Sequence, residues 1–140
     1  MLFVDDADRQ AFLWLLGAVT ARYGVVCHAY CLMGTHYHLI LQGRREDLSV
    51  AMQRLNGRYA RRYNERHLSR GHVFAGRFSA YVIRDESHLE DAYRYLEANP
   101  VEAGLCDTTD EWPWTWIAVR DSQRKSGTGL RPVPDSNSRA

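Results

Sequence analysis

The stretch Gly34-Thr35-His36-Tyr37-His38-Leu39-Ile40-Leu41 is the part of the chain around which the rest can be arranged. Side chains alternate between the two faces of a β-strand, so a strand here would carry His36 and His38 on one face, about 7 Å apart. Two imidazoles on one rigid face can hold a divalent cation, although same-face histidines also occur on ordinary strands. The opposite face carries apolar side chains for a core, at Tyr37, Leu39 and Leu41.

Length and composition predict one domain. A chain of 140 residues, 45% of them hydrophobic, can bury a core of its own. The three cysteines are odd in number and form no C-x-x-C pair, which predicts buried thiols in a reducing cytoplasm rather than a disulfide framework. No stretch is apolar enough to span a membrane and no signal peptide begins the chain, so we expect no membrane partner.

The net charge of +1 hides two blocks of opposite sign. Between Arg44 and Arg84 ten arginines stand against three acids, and between Asp85 and Glu111 nine acids stand against one arginine. The basic block suits a nucleic acid whose phosphates pair with arginines and whose bases stack on interleaved aromatic rings. The alternative is a solvated helix face that binds nothing. The rings in the block are those of Tyr59, Tyr63, His67, Phe74 and Phe78.

Hydrophobic spacing predicts an α+β fold. Helices are expected over residues 5–23, from Asp47 or Ser49 to about His67, and from Glu86 to about Ala98. Strand formers fill residues 25–33, and the turn at Gly34-Thr35 would join them to the histidine strand as a hairpin. Residues 72–83 are expected to be extended. The order helix, strand, strand, helix, extended segment, helix predicts helices packed on an antiparallel sheet.

The C-terminal third carries three further expectations. Pro100 predicts that the third helix ends near Asn99, followed by one turn that Gly104 closes. The aromatic segment 112–116 is expected to pack back onto the domain. From residue 121 the composition predicts a disordered tail, which leaves residues 1–120 as the folded domain.

The third helix offers partners for the histidines. Tyr95 and Asn99 are four residues apart, so they share one helix face, and Tyr95 falls to the side of the apolar stripe that holds Tyr93. A phenol beside a bound cation could attack a phosphate and hold it covalently. From spacing alone, a tyrosine at a helix edge with a hydrated hydroxyl is the plainer alternative.

Five ordered blocks resemble the HUH single-tyrosine transposases, and most of all their REP-associated tyrosine transposase branch. The blocks extend over roughly residues 3–118, which makes the resemblance more specific than a single short motif. They are Tyr30–Leu41, Met52–Tyr59, Gly71–Phe78, Tyr93–Gly104 and Trp112–Trp114.

The resemblance implies a fold and a mechanism. The fold is a ferredoxin-like antiparallel sheet with helices packed on it. The mechanism is cleavage of single-stranded DNA, often beside a hairpin, by Tyr95, with Mg²⁺ or Mn²⁺ held by His36, His38 and Asn99. Cleavage would leave a 5′-phosphotyrosine and a free 3′-hydroxyl, so that strands can be rejoined without ATP. We expect six arginines to contact the DNA: Arg54, Arg58, Arg61, Arg62, Arg70 and Arg77.

The chain departs from the family pattern in two places. Gly34-Thr35 stands where Pro-Asn or Pro-Glu is usual, which a turn should tolerate. Family members also begin with a strand before the first helix, whereas this chain starts at Met1-Leu2-Phe3, so we expect the sheet to lack that strand. A misassigned start, a truncated remnant or a partner that fills the gap would each explain this difference, and the edge beside the histidine strand would be left open.

Two alternative functions and one question of assembly follow from the sequence. A catalytically decayed or domesticated relative would bind hairpin DNA or RNA without cutting it. A zinc hydrolase would use His36 and His38 with Asn99, but it lacks a strong third ligand and a clear general base. A homodimer is compatible with the pattern, and the sequence does not decide whether Tyr95 serves the histidines of its own chain.

Overall fold

A computed structural model of the chain describes residues 1–74 and 79–124. Eight elements follow one another within these ranges, and the first helix, the hairpin and two long helices were expected. They are α1 (Asp6–Tyr23), β1 (Val26–Leu32), β2 (Tyr37–Gln42), α2 (Arg45–Arg66), α3 (Glu86–Glu102), a single 3₁₀ turn (Thr109–Glu111), β3 (Thr115–Ile117) and α4 (Ala118–Arg124).

The ends of α1 follow from its sequence. The side chain of Asp5 accepts a hydrogen bond from the Asp8 N–H and so caps the first turn, while Gly24 ends the helix in the left-handed region at φ 67°. The second helix begins at Arg45, two residues before the earlier of the two predicted starts, and Arg44 supplies no side-chain cap. No local signal marked that start.

The sheet has three antiparallel strands in the order β2-β1-β3. The predicted hairpin is confirmed, with Cys31 opposite His38 and Leu32 opposite Tyr37, and the α+β class is confirmed with it. The third strand comes from the aromatic segment, which does pack back onto the domain: Leu32 N donates to the Trp114 carbonyl, and Trp116 stacks on Tyr30 with ring centroids 5.8 Å apart. The sequence had not predicted a strand there.

The N-terminal residues lie against the hairpin turn without joining the sheet. The backbone N–H groups of Leu2 and Phe3 both donate to the Gly34 carbonyl, and both side chains are buried. Within residues 1–74 and 79–124 no strand precedes α1, and β2 pairs with a strand on one edge only. The edge of β2 that does not face β1 is therefore unpaired among the described residues.

Two apolar clusters mark the two faces of the sheet. Helices α1 and α2 cover the first face, and α3 covers the second. On the first face, the helices bury Phe12, Leu16, Leu55 and Tyr59 against Tyr30 and Leu32 of β1, beside the half-buried Tyr37, Leu39 and Leu41 of β2. On the second face, Tyr93 and Leu96 of α3 pack with Ala29 and Cys31 of β1, with Met33 just after that strand and with Ile117 of β3, beside Ile40.

Two expectations about the C-terminal third need correction. The helix predicted to end near Asn99 continues through Pro100 to Glu102, because the turn expected after the proline is continuous with α3. Gly104, at φ 78°, then closes it, with Gly104 N bonded to the Val101 carbonyl and Leu105 N to the Pro100 carbonyl. The tail was predicted from residue 121, but α4 runs to Arg124; residues 125–140 lie outside the described part.

The described part of the segment 72–83 contains no strand. In the segment 72–83, which was expected to be extended, the described residues 72–74 and 79–83 belong to no strand, and residues 75–78 lie outside the described ranges. Among the described helices none is long and apolar enough to cross a membrane.

Candidate active site

His36 directly precedes β2 and His38 is its second residue, and both lie on the side of the sheet that α3 covers. Tyr37, Leu39 and Leu41 pack on the opposite face, so the predicted alternation of the strand is confirmed. The two imidazole rings stand perpendicular to each other, with centroids 4.9 Å apart. The sequence motif therefore forms a compact pair of imidazoles on one side of the sheet.

The surroundings of His38 fit a metal ligand. Its Nε2 atom is buried and has no hydrogen-bond partner among the described residues. Burial, and next the nearby His36, lower the pKa of His38 below the ordinary histidine value, which favours the neutral imidazole. A neutral imidazole with a buried nitrogen that bonds nothing else presents the form that coordinates a cation.

His36 is the exposed member of the pair. Its Nδ1 atom lies 3.1 Å from the Thr35 hydroxyl, and its Nε2 atom has no hydrogen-bond partner in the described part of the chain. Sequence reasoning had treated Thr35 only as a turn residue. The sequence signal for its role was a hydroxyl side chain directly before the first histidine. A hydrogen-bond partner at one ring nitrogen of a histidine fixes which nitrogen remains for a ligand.

Tyr95 comes to the histidines from α3. Its ring meets the His38 ring edge to face, with centroids 5.7 Å apart at an interplanar angle of 83°. Tyr95 is 62% exposed, whereas Tyr93, two residues earlier, is 3% exposed and packs in the second cluster. The helix thus divides its two tyrosines as predicted, one for the core and one for the histidine side.

Asn99 is linked to Tyr95 through the helix. Its Nδ2 atom donates to the Tyr95 carbonyl oxygen at 2.7 Å, so the amide nitrogen is engaged in a hydrogen bond to the helix backbone. The Oδ1 atom has no hydrogen-bond partner among residues 1–74 and 79–124. Oxygen ligands of this kind suit Mg²⁺ or Mn²⁺. Asn99 thus lies one helical turn after Tyr95, and among residues 1–74 and 79–124 it makes no recorded contact with His36 or His38, so its role as a third ligand stays a prediction.

The donor set does not suit zinc. In the described part of the chain no group of three His, Cys, Asp or Glu side chains is placed to hold a metal ion. Cys31, opposite His38 in the register, accepts from the Thr115 hydroxyl, and burial raises the pKa of its thiol to about 11. The zinc hydrolase alternative needs a strong third ligand that these residues do not supply.

The arginines expected to contact DNA do not all surround this site. Helix α2 packs on the first face of the sheet, so its exposed arginines lie on the opposite side of the sheet from His36 and His38. Arg70 is exposed in the loop after α2, and Arg77 lies outside the described residues. Four of the six predicted DNA contacts lie on α2: Arg54, Arg58, Arg61 and Arg62.

The expectation that bases stack on the aromatics of the basic block is wrong for the residues of α2. Tyr59 is 1% exposed, and its hydroxyl donates to the Leu2 carbonyl. The Tyr63 hydroxyl donates to the Met1 carbonyl, and His67 pairs with Asp8. Phe74 packs near Tyr37, and Phe78 lies outside the described ranges. These rings hold the N-terminal segment and the core instead.

Comparison with known proteins gives a consistent result. The family described as "Transposase IS200 like" matches residues 2–99. A Haemophilus influenzae protein named "Putative REP-associated tyrosine transposase" is 24% identical over 132 residues, which cover 81% of this chain and 75% of the relative. No solved structure gives a significant match.

Proposed function

Because this chain belongs to the IS200-like transposase family, we propose that it cleaves and rejoins single-stranded DNA through Tyr95. The observation that carries the proposal is the contact between the Tyr95 and His38 rings, with centroids 5.7 Å apart. An exposed phenol beside a pair of metal-ligating side chains is the arrangement that a tyrosine nucleophile for phosphoryl transfer needs.

The chemistry assigned to Tyr95 is a transesterification. The phenolic oxygen attacks phosphorus, the bond from phosphorus to the 3′ oxygen of the preceding nucleotide breaks, and the phenol proton is lost while that 3′ oxygen gains one. The products are a 5′-phosphotyrosine and a free 3′-hydroxyl. Attack of another strand's 3′-hydroxyl on the phosphotyrosine restores a phosphodiester and the free tyrosine. Because one phosphate ester is exchanged for another, neither step needs ATP.

Three side chains would hold Mg²⁺ or Mn²⁺ at this site: His36, His38 and the amide oxygen of Asn99. The bound cation would supply positive charge that stabilises the phosphate oxygens while the bond from the phenolic oxygen to phosphorus forms and the bond to the 3′ oxygen breaks. Two observations support this assignment. The Nε2 atom of His38 is buried and has no hydrogen-bond partner among the described residues. The Nδ2 atom of Asn99 donates to the Tyr95 carbonyl, so the amide oxygen is the end of that side chain left for a cation.

The surroundings of the site support an unpaired strand as the substrate. Tyr95 lies on the exposed flank of α3 and is 62% exposed, so a flexible strand can bring a phosphate to its hydroxyl. Asn99 fixes the helix turn that carries Tyr95 by donating to its carbonyl. We assign Tyr95 the role of nucleophile and Asn99 the double role of ligand and positioning residue.

A cleavage assay with two labels tests the proposal. An oligonucleotide that folds into a hairpin with a single-stranded flank is labelled at the 5′ end in one sample and at the 3′ end in another, then incubated with the protein and Mn²⁺. The proposal predicts that the 3′-labelled fragment becomes attached to protein and that the 5′-labelled fragment is released with a free 3′-hydroxyl. Binding without cleavage in Mg²⁺ or Mn²⁺ would instead support the catalytically decayed binder.

A further inference from the structure

Tyr37 lies between the two candidate metal ligands in the sequence, and its side chain points away from them. Because side chains alternate along a strand, Tyr37 packs on the first face of the sheet, while His36 and His38 lie on the second. Its backbone joins the two histidines directly. Contacts that fix Tyr37 on the first face therefore also limit where both imidazoles can lie.

The piece of strand that carries the histidines is held by the sheet on one side. In the described part of the chain, β2 is an edge strand that pairs with β1 alone. His36 precedes the strand, and its carbonyl accepts from the Met33 N–H at 2.9 Å. The end of an edge strand is a part of a sheet that opens easily, so metal ligands placed there need a second restraint.

The hydroxyl of Tyr37 provides such a restraint through α2. It donates to the Oδ1 atom of Asn56 at 2.7 Å, in a partly buried contact. Asn56 is half-buried and follows Leu55, one turn after Met52, so it lies at the edge of the buried stripe of α2. A polar side chain at such a position destabilises the fold unless it is hydrogen-bonded, and here its partner is Tyr37.

The ring of Tyr37 is fixed by α1. Its centroid lies 4.7 Å from that of Phe12, which is buried. Phe12 in turn meets the rings of Phe3 and Tyr59 at centroid distances of 5.5 and 5.4 Å. Aromatic pairs at such distances attract each other beyond the effect of burial. A shift of Tyr37 would therefore break a hydrogen bond and disturb a packed aromatic cluster.

The same piece of strand meets the candidate nucleophile on its other face. His38 follows Tyr37, and its ring contacts that of Tyr95 with centroids 5.7 Å apart. The strand at residue 37 thus lies between α1 and α2 on one face and α3 on the other. A shift of this piece of strand would change both the separation of the two imidazoles and the approach of Tyr95.

From these contacts we infer that Tyr37 is a positioning residue of the candidate active site. Its hydrogen bond to Asn56 holds the histidine pair, from the opposite face of the sheet, in the arrangement that binds a divalent cation. The inference rests on the proposed function, because it takes His36 and His38 to be metal ligands. Tyr37 acts through the backbone that it shares with them. Removing a residue that orients metal ligands typically lowers metal affinity about 10- to 100-fold.

The Mn²⁺ affinity of the protein, measured by calorimetry without DNA, tests the inference. Tyr37→Phe and Asn56→Leu each remove one end of the hydrogen bond and should each weaken Mn²⁺ binding about tenfold. The double variant should bind Mn²⁺ no more weakly than either single variant, because the same bond is lost in all three. Asn56→Asp keeps an oxygen that accepts from the hydroxyl, so its Mn²⁺ affinity should equal that of the wild type.

Thr20→Val is the matched control. The buried hydroxyl of Thr20 donates to the Leu16 carbonyl within α1 at 2.9 Å, so the substitution removes a comparable hydrogen bond that does not involve β2. Thr20→Val and Tyr37→Phe should both lower the melting temperature by a few degrees, and only Tyr37→Phe should weaken Mn²⁺ binding. Wild-type Mn²⁺ affinity in Tyr37→Phe, or losses that add in the double variant, would overturn the inference.

His38→Ala in the same series separates two failures. If it weakens Mn²⁺ binding and Tyr37→Phe does not, the role of Tyr37 is refuted and the metal site stands. If neither variant weakens Mn²⁺ binding, the proposed metal site is refuted and the inference with it.

Amide hydrogen exchange measures the hold on the strand without any metal. The Met33 N–H donates to the His36 carbonyl, whereas the Leu32 N–H donates to the Trp114 carbonyl on the other side of β1. Tyr37→Phe should speed exchange of the Met33 amide several-fold and leave that of Leu32 unchanged, because the opening is local. Equal acceleration at both amides would show a general loss of stability and would contradict a positioning role.

Discussion

The ring of Tyr95 meets the ring of His38 edge to face, at a centroid distance of 5.7 Å. The two residues are 57 positions apart in the sequence and come from different elements, an α-helix and the edge strand of the sheet. Their contact brings the candidate nucleophile to the candidate metal ligands through the packing of α3 on the second face of the sheet.

The histidine pair should bind Mn²⁺ in the absence of DNA. His38→Ala is expected to lower Mn²⁺ affinity at least 10-fold, measured by calorimetry or by the electron paramagnetic resonance signal of free Mn²⁺, because one of two imidazole ligands is lost. His28→Ala is the matched control: His28 also lies in the sheet, but its Nε2 bonds Gln42 at 2.7 Å. Equal Mn²⁺ affinity in wild type and His38→Ala would contradict the metal assignment.

Asn99 should matter for cleavage more than for DNA binding. Asn99→Ala removes the proposed oxygen ligand and the donor to the Tyr95 carbonyl, and we expect about 10- to 100-fold slower cleavage of a hairpin oligonucleotide with near-normal affinity for it. Asn99→Asp keeps an oxygen that suits a hard cation, so it should recover part of the rate. If Asn99→Ala cleaves at the wild-type rate, the residue has neither role.

Arg9 should stabilise the contact between α1 and the C-terminal aromatic segment. Its guanidinium lies 5.3 Å from the Trp112 ring centroid and 5.9 Å from that of Trp114, and it donates to the Met33 carbonyl at 3.1 Å. Arg9→Ala is expected to lower the free energy of unfolding by about 2 kcal/mol, because cation–π contacts and a hydrogen bond in a largely buried place are lost together.

Urea unfolding at neutral pH checks the Arg9 prediction. The control Arg22→Ala changes an exposed arginine that lies over the neighbouring Tyr23 ring, and it should alter the free energy of unfolding by less than about 0.5 kcal/mol. Similar losses in the two variants would mean that the position of Arg9 between the aromatic rings has no special effect.

The free energy of unfolding should fall at acidic pH because the ion pairs that join α1 to the end of α2 depend on ionised carboxylates. Asp5 and Asp8 pair with Arg66, and Asp8 also pairs with His67. Hydrogen bonds from Arg66, above all, hold the pKa of Asp5 far below its usual range. Burial alone would raise the pKa of Asp8, but donors at Val4, Arg66 and His67 lower it on balance. Depressed carboxyl pKa values give a stabilisation that is complete above about pH 4, the unfolded value, and is lost as the pH falls below it.

Urea unfolding at pH 7 and pH 3 measures this dependence. Asp8→Asn should lower the free energy of unfolding at pH 7 by about 1 to 3 kcal/mol and flatten its change with pH, since a buried charged acceptor is removed. Asp91→Asn, at an exposed position of α3, should leave both unchanged within about 0.5 kcal/mol. An equally steep acid loss in Asp8→Asn and wild type would show that other carboxyls carry the effect.

The parts of the fold that depend on residues close together in the chain could be predicted from local sequence patterns. The first helix, the hairpin turn and the alternation of His38 with its apolar neighbours could be predicted, because each depends on residues within a few positions. The separation of Tyr95 from Tyr93 followed from helical periodicity alone. These features positioned the candidate site before any tertiary contact was known.

The features that sequence reasoning missed depend on distant parts of the chain. Strand β3 is three residues long and exists because the aromatic segment pairs with β1, 84 positions away for Cys31 and Thr115. The hydrogen bond from the Tyr59 hydroxyl to the carbonyl of Leu2 joins residues 57 positions apart. The side of the sheet on which the α2 arginines lie follows from the packing of the whole helix, which no spacing within α2 reveals.

The central claim is that Tyr95 is the nucleophile, and trapping the covalent product tests it most directly. The protein is incubated with Mn²⁺ and a hairpin oligonucleotide carrying a single-stranded flank, and the modified residue is located by mass spectrometry. We predict an adduct on Tyr95 in the wild type and in the control Tyr93→Phe, whose altered side chain is buried, and none in Tyr95→Phe. An adduct that persists in Tyr95→Phe, or that maps to another residue, would contradict the account.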